Sequence, residues 1–136
     1  MNIETFNKLK QIADKELTFD EKKADIACAN VPAMYQRYLD IYSTEFHLLK
    51  TKQADLEMLY GELYKKVKFH DQYQWGAKGE VDSQINTNVE YYRLRIEVAQ
   101  QEVIVQYLEQ LLDNIKRLSY TIKNWIDIKK FMAGMY

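Results

Sequence analysis

The stretch that decides the fold runs from Tyr35 to Val67, YQRYLDIYSTEFHLLKTKQADLEMLYGELYKKV. Within it Tyr35, Leu39, Tyr42, Phe46, Leu49, Gln53, Leu56, Tyr60, Leu63 and Val67 are separated alternately by four and three residues. That spacing holds one side of an α-helix apolar through more than four heptads, with Gln53 as its polar interruption. Just upstream, Asn30-Val31-Pro32 reads as a start signal: the Asn caps, and a Pro in the first helical turn gives up an N–H that has no helical acceptor. At 1.5 Å per residue, a helix over 31–68 is roughly 55 Å long. A rod with a seam of that length needs a partner along it.

The partner lies downstream. Asn86-Thr87 offers a cap for a second long helix, 87 to about 133, which Gly134 closes. This helix carries two apolar series. Leu94, Val98, Gln101, Val105, Leu108, Leu112, Ile115, Ser119, Ile122 and Ile126 form one, suited to an antiparallel mate. Ile104, Leu108, Leu111, Ile115, Leu118, Ile122 and Trp125 form a second, offset one. An apolar face this wide exceeds what one partner covers, so the second series is expected to form an oligomer interface with another copy of the chain.

Around the two rods the chain is simpler. Residues 2–16 place Ile3, Phe6, Leu9, Lys10 and Ala13 near one face of a short helix that Asn2 can cap. Residues 17–30 read as a linker with a helical turn or two, in which Asp20 accepts from following amides and Ile26, Cys28 and Ala29 are small buried candidates. Residues 69–86, with Gly76 and Gly79, read as a polar loop at the far end of the first rod, with a short extended piece at Val81–Ile85. The expected fold is all-α: an elongated antiparallel hairpin of two long helices with a short N-terminal helix, oligomerising through coiled-coil-like seams. The expected organisation is one domain over 1–136, with an N-terminal appendage over 1–29 and rods over 31–68 and 87–133.

Composition narrows the function. A chain of 136 residues suits a single domain, and four Gly with one Pro cannot supply the turns of a many-stranded sheet. Nineteen Lys and Arg against twenty Asp and Glu leave a net charge of −1, so a site for a polyanion must be local. One cysteine closes no internal disulfide, no apolar run approaches the length of a membrane span, and the start lacks the pattern of a signal peptide. The expectation is a soluble protein of a reducing cytosol with no membrane partner.

The sequence patterns that carry catalytic or metal chemistry are absent. The residues three before His47 and His70 are Thr44 and Val67, so the Glu-x-x-His pairs of bundle di-metal sites are missing. Gly76-Ala77-Lys78-Gly79 lacks the strand, spacing and hydroxyl of a phosphate-binding loop. Neither an enzyme nor a metal or cofactor is expected.

Local charge says more. Residues 63–70, LYKKVKFH, hold Lys65, Lys66 and Lys68 without an acid, beside Tyr64 and Phe69 and just before Tyr73 and Trp75. Ammonium groups displace counterions from phosphates and ring faces stack on unpaired bases, so this interleaving suits single-stranded nucleic acid. Lysines in the last turns of a helix also answer its dipole. A second basic stretch, 113–136, holds Lys116, Arg117, Lys123, Lys129 and Lys130, a local excess of three positive charges. Lys116, Lys123 and Lys130 recur every seven residues and so share a stripe; taken alone, that stripe equally describes a solvated helix face. Several copies around an axis would join such patches into a track.

Two segments carry a resemblance. Asn30-Val31-Pro32 with Tyr38-Leu39-Asp40-Ile41-Tyr42, and Tyr120-Thr121-Ile122-Lys123-Asn124-Trp125-Ile126-Asp127-Ile128-Lys129-Lys130-Phe131-Met132-Ala133-Gly134, resemble the UvsY recombination mediator family of T4-like bacteriophages in sequence, separation and chain length. The likeness covers most of residues 20–134. It implies a non-enzymatic mediator of DNA recombination and repair that acts in the cytoplasm of the infected bacterial host. Such a mediator forms ring-like homo-oligomers of about six to eight copies, binds single-stranded DNA, and contacts the phage recombinase and the phage single-strand-binding protein, helping the first replace the second. The family's Lys/Arg pair before a Tyr-Tyr-x-Gly turn falls near Gly61 and Leu63 here, with the positive charge a turn later at Lys65, Lys66 and Lys68. A structural or adaptor coiled coil without DNA binding is the alternative.

Overall fold

A computed structural model describes residues 1–70 and 78–134. The order is α1 (Ile3–Glu16), a 3₁₀ turn (Glu21–Lys23), α2 (Ala24–Lys65), a π-helical turn (Lys66–His70), α3 (Lys78–Asn86) and α4 (Val89–Met132). There is no strand among the described residues. The chain groups into two compact units, Met1–Thr44 with Ile104–Tyr136, and Glu45–Val103, so α2 and α4 each contribute to both. Within each unit the two long helices are antiparallel. Tyr35 meets Lys116 and Tyr42 meets Glu109 in the first unit; Glu45 meets Gln101 and Tyr60 meets Tyr91 in the second.

In the first unit α1 is the third layer. The Asn2 side chain accepts from Thr5 N at 2.7 Å and starts the helix. Phe6, Leu9 and Ala13 then enter one cluster with Met34 and Tyr38 of α2 and Ile104, Leu108, Leu111, Leu112 and Ile115 of α4. Phe6 also meets Tyr107 edge-to-face at 5.3 Å. The second seam of α4 therefore finds its cover here. Ile104, Leu108, Leu111, Ile115 and Ile122 are all buried, while Leu118 and Trp125 are half-buried. Ile104, Leu108, Leu111 and Ile115 of this series are covered within the chain, in the cluster that α1 joins, which removes their apolar area from water at about 25 cal/mol per Å².

The second unit has a polar centre. Glu45 and Gln101 are its buried polar residues; the Gln101 amide donates to the Glu45 carboxylate at 2.6 Å and to the Glu45 backbone carbonyl at 2.9 Å. Around them Leu49, Val81, Ile85 and Val98 are buried. Residues 78–86 are helical, not a loop with an extended piece, because Val81 and Ile85 are one turn apart and bury together against the unit.

The start of the first rod also differs from expectation. Asp20 accepts from Lys22 N at 3.0 Å and nucleates the 3₁₀ turn, so α2 begins at Ala24 and Pro32 sits inside it. An internal Pro removes one bond, that of its own missing N–H, which α2 bears near its start. Ala24 is the buried small residue of this segment; Ile26, Cys28 and Ala29 are exposed. At the other junction the cap of α4 is Asn88, which accepts from Tyr91 N at 3.0 Å, and not Asn86-Thr87. Gly134 ends α4 at φ +73°, the left-handed conformation that glycine adopts without strain.

Candidate nucleic-acid interface

The basic end of α2 lies in the second unit. α2 gives way at Lys66 to a π turn that runs to His70. Wider turns of this kind cost regular i→i+4 bonding and occur often at functional sites. Lys65 and Lys66 are exposed, Phe69 is 58% exposed, and Lys68 is half-buried. Lys68 is held: its ammonium donates to Tyr64 Oη at 3.1 Å and lies 5.4 Å from the Tyr64 ring centroid. Tyr73 and Trp75 lie outside the described residues.

Behind these cations stands a tyrosine cluster. The Tyr60 hydroxyl donates to Asp82 Oδ1 at 2.6 Å, fixing α3 to α2. The Tyr60 ring lies 6.1 Å from Tyr64 and 6.3 Å from Tyr91. The bond to the Asp82 carboxylate, followed by desolvation, pushes the Tyr60 phenol from 10.0 up to about 12, so the hydroxyl stays a donor at neutral pH. Beside the cluster a cleft of about 250 Å³ is lined by Leu63, Lys66, Val67, Gln84, Ile85, Thr87 and Asn88. One ammonium and two amide side chains border a small apolar floor, a set able to take one base or one phosphate at a time.

The second basic set lies on α4 in the first unit. Lys116, Lys123, Lys129 and Lys130 are exposed, with Arg117 beside Lys116. Lys116 lies 5.8 Å from the Tyr35 ring and Lys129 lies 5.4 Å from that of Trp125, so two of the four rest over aromatic faces. Trp125 in turn meets Phe19 edge-to-face at 5.8 Å. The structure thus brings Lys65, Lys66, Lys68 and Phe69 together on one turn, and Lys116, Lys123, Lys129 and Lys130 along another helix.

Gln84 and Asn88 at the cleft escape a reading of the sequence, since their placement depends on α3 being a helix. Tyr64 was within reach: Tyr64 and Lys68 are four apart in a helical segment, the spacing at which side chains meet. Among the described residues no group of three or more His, Cys, Asp or Glu is placed to hold a metal ion. No helix among them is long and apolar enough to cross a membrane.

Against this geometry, a family described as "Recombination, repair and ssDNA binding protein UvsY" matches residues 12–135. The chain belongs to the UvsY family. The fold agrees. A crystal structure of the bacteriophage T4 recombination mediator protein UvsY (lattice type II) is similar at a TM-score of 0.85 and 17% identity, covering 98% of each chain. A second crystal form of that protein (lattice type IV) gives 0.83 and 18%, covering 97% of this chain and 99% of that one. At such identity the backbone path of UvsY is kept while most side chains differ. No curated protein sequence matches this chain.

Proposed function

We propose that this chain is a recombination mediator that binds single-stranded DNA and helps load a phage recombinase onto strands covered by single-strand-binding protein, in the cytoplasm of the infected bacterial host. The observation that carries the reading is the UvsY family match across residues 12–135. The exposed Lys65 at the end of α2 and Lys66 at the start of the π turn, set beside Phe69 and the Tyr60–Tyr64–Tyr91 cluster, support it with a chemistry suited to a strand.

Lys65, Lys66 and Lys68 would neutralise phosphates, and Phe69, with Tyr73 and Trp75, would stack on bases. Lys116, Lys123, Lys129 and Lys130 would extend the track on α4. The mechanism is differential binding: holding the strand in a conformation that the resident protein binds less well and the recombinase binds better, with no covalent step. Homo-oligomerisation, as a ring, would pool patches that one chain presents sparsely. The exposed Tyr120, Ile128 and Met132 near the end of α4 offer an apolar contact for that assembly.

The test is a titration of fluorescent single-stranded and duplex DNA at several salt concentrations. The reading expects single-strand preference and a log–log salt slope of about −0.7 per neutralised phosphate. Replacing Lys65, Lys66 and Lys68 together by Ala is expected to flatten that slope by about 2. Equal affinity for duplex overturns the single-strand reading, and no binding at low salt overturns DNA binding altogether and leaves the adaptor coiled coil.

A further inference from the structure

α4 carries an uncovered seam that neither the family match nor the basic patches use. Val89, Tyr92, Ile96, Ala99 and Val103 follow one another at spacings of three, four, three and four, and all are exposed: Val89 68%, Tyr92 51%, Ile96 38%, Val103 58%, with Ala99 in the same class. They lie wholly within the second unit. On the opposite side of the same stretch, Val98 and Gln101 are buried, and Gln101 bonds to Glu45 of α2. Five consecutive heptad positions left to water are an interface pattern, since apolar residues scattered singly need no partner but an aligned row does.

We propose that this seam pairs with the same seam of a second copy, antiparallel and about a two-fold axis. The register follows from size. Sliding two copies so that Ile96 faces the partner's Ala99 also places Tyr92 opposite the partner's Val103, giving four layers, each with a larger residue against a smaller one. In the parallel alternative Ala99 meets Ala99 and Tyr92 meets Tyr92, a void beside a crowd. Charge then agrees independently. The flanking positions of the antiparallel register put Arg95 opposite the partner's Glu102, twice by symmetry, whereas in the parallel register Arg95 faces Gln100. Within the chain, neither Arg95 nor Glu102 has an ion pair among the described residues; Arg95 rests 5.7 Å from the Tyr92 ring, already on the edge of the seam.

This contact is isologous and so adds a two-fold axis to any ring contact made elsewhere. It rests on the chain being self-associating, and not on DNA binding. Sedimentation of the full chain at micromolar concentration tests it. Ile96→Asp is expected to halve the mass of the assembly. Arg95→Glu or Glu102→Arg alone is expected to weaken pairing about tenfold, and the double exchange Arg95→Glu with Glu102→Arg to restore it. A wild-type assembly whose mass survives Ile96→Asp overturns the seam while leaving self-association elsewhere intact. Single charge variants that weaken pairing without rescue by the double exchange overturn the antiparallel register. A wild type that sediments as single chains removes both the seam and the oligomer.

Discussion

The two units are built from the same pair of helices and differ in what else covers them. In Met1–Thr44 with Ile104–Tyr136, α4 is sandwiched: Ile104, Leu108, Leu111, Leu112 and Ile115 from its two apolar series are buried in one cluster with Met34 and Tyr38 of α2 and Phe6, Leu9 and Ala13 of α1. In Glu45–Val103 the long helices face each other across Glu45 and Gln101, α3 adds Val81 and Ile85, and the row from Val89 to Val103 stays in water. A two-helix contact buries one stripe per helix, so a third element decides whether a wide apolar face becomes core or remains an interface. The first unit holds the three-layered apolar cluster, and the second holds the buried polar pair and an open seam, while each unit presents exposed cations of its own.

The sharpest way to break that contrast is to excavate the sandwiched core. Leu108 is fully buried, and Leu108→Ala is expected to cost about 2–5 kcal/mol, read as a fall in urea midpoint. If the truncation costs under about 1 kcal/mol, α1 does not close the core as described. Next is the polar centre of the second unit. Gln101→Ala withdraws the amide from a buried carboxylate and is expected to cost about 1–3 kcal/mol. Replacing Glu45 and Gln101 together by Leu is expected to be near neutral or stabilising, since a matched apolar pair avoids the desolvation that the polar pair must offset. A double replacement as costly as the single would place the importance of this layer in shape rather than in hydrogen bonding.

The rods, their antiparallel mate and most of the α4 core residues were readable because long amphipathic periods are a strong signal. The phase of α2 was less readable. A strict heptad series puts Phe46 in the seam, yet Phe46 is 37% exposed and its neighbour Glu45 is buried. Met34 and Glu45 are eleven apart, as are Tyr38 and Leu49, and these four are the buried set of that stretch. Eleven residues over three turns is 3.67 per turn, so a series spaced at 3.5 drifts off the contact by one position within a few turns. The third layers were unreadable for another reason: whether α1 or a second copy covers Leu111 is settled by tertiary docking, which no local period encodes. At the candidate interface, Lys65, Lys66 and Lys68 were legible from charge and aromatics, whereas the cleft with Gln84 and Asn88 waited on α3.

The role of α1 as the third layer can be sharpened from its own end. Asn2→Ala removes the acceptor for Thr5 N, and a lost N-cap typically costs about 1 kcal/mol. Amide exchange of Phe6, Leu9 and Ala13 should quicken by a larger factor than that of Val81 and Ile85 in the other unit. Equal quickening in both would mean that α1 frays without loosening the first unit in particular.

The gentlest test titrates the tie between α2 and α3. Tyr60 donates to Asp82, and because the neutral phenol is the donor, its folded-state value is raised from 10.0 to about 12. A raised value means that the fold favours the protonated form, so the bond's contribution is fully present below pH 10 and is lost as pH climbs from 10 towards 12. Tyr38, Tyr42 and Tyr107 in the first unit are also raised, each mainly by burial, so alkaline loss of total stability cannot be assigned to Tyr60 alone. The difference between wild type and Tyr60→Phe isolates it. Phe keeps the ring contacts with Tyr64 and Tyr91 and removes only the hydroxyl, so the stability gap in urea denaturation should be constant below pH 10 and narrow between pH 10 and 12. A gap that stays constant across that window would mean that the hydroxyl does not hold α3, and that the burial of Val81 and Ile85 alone keeps the helix in place.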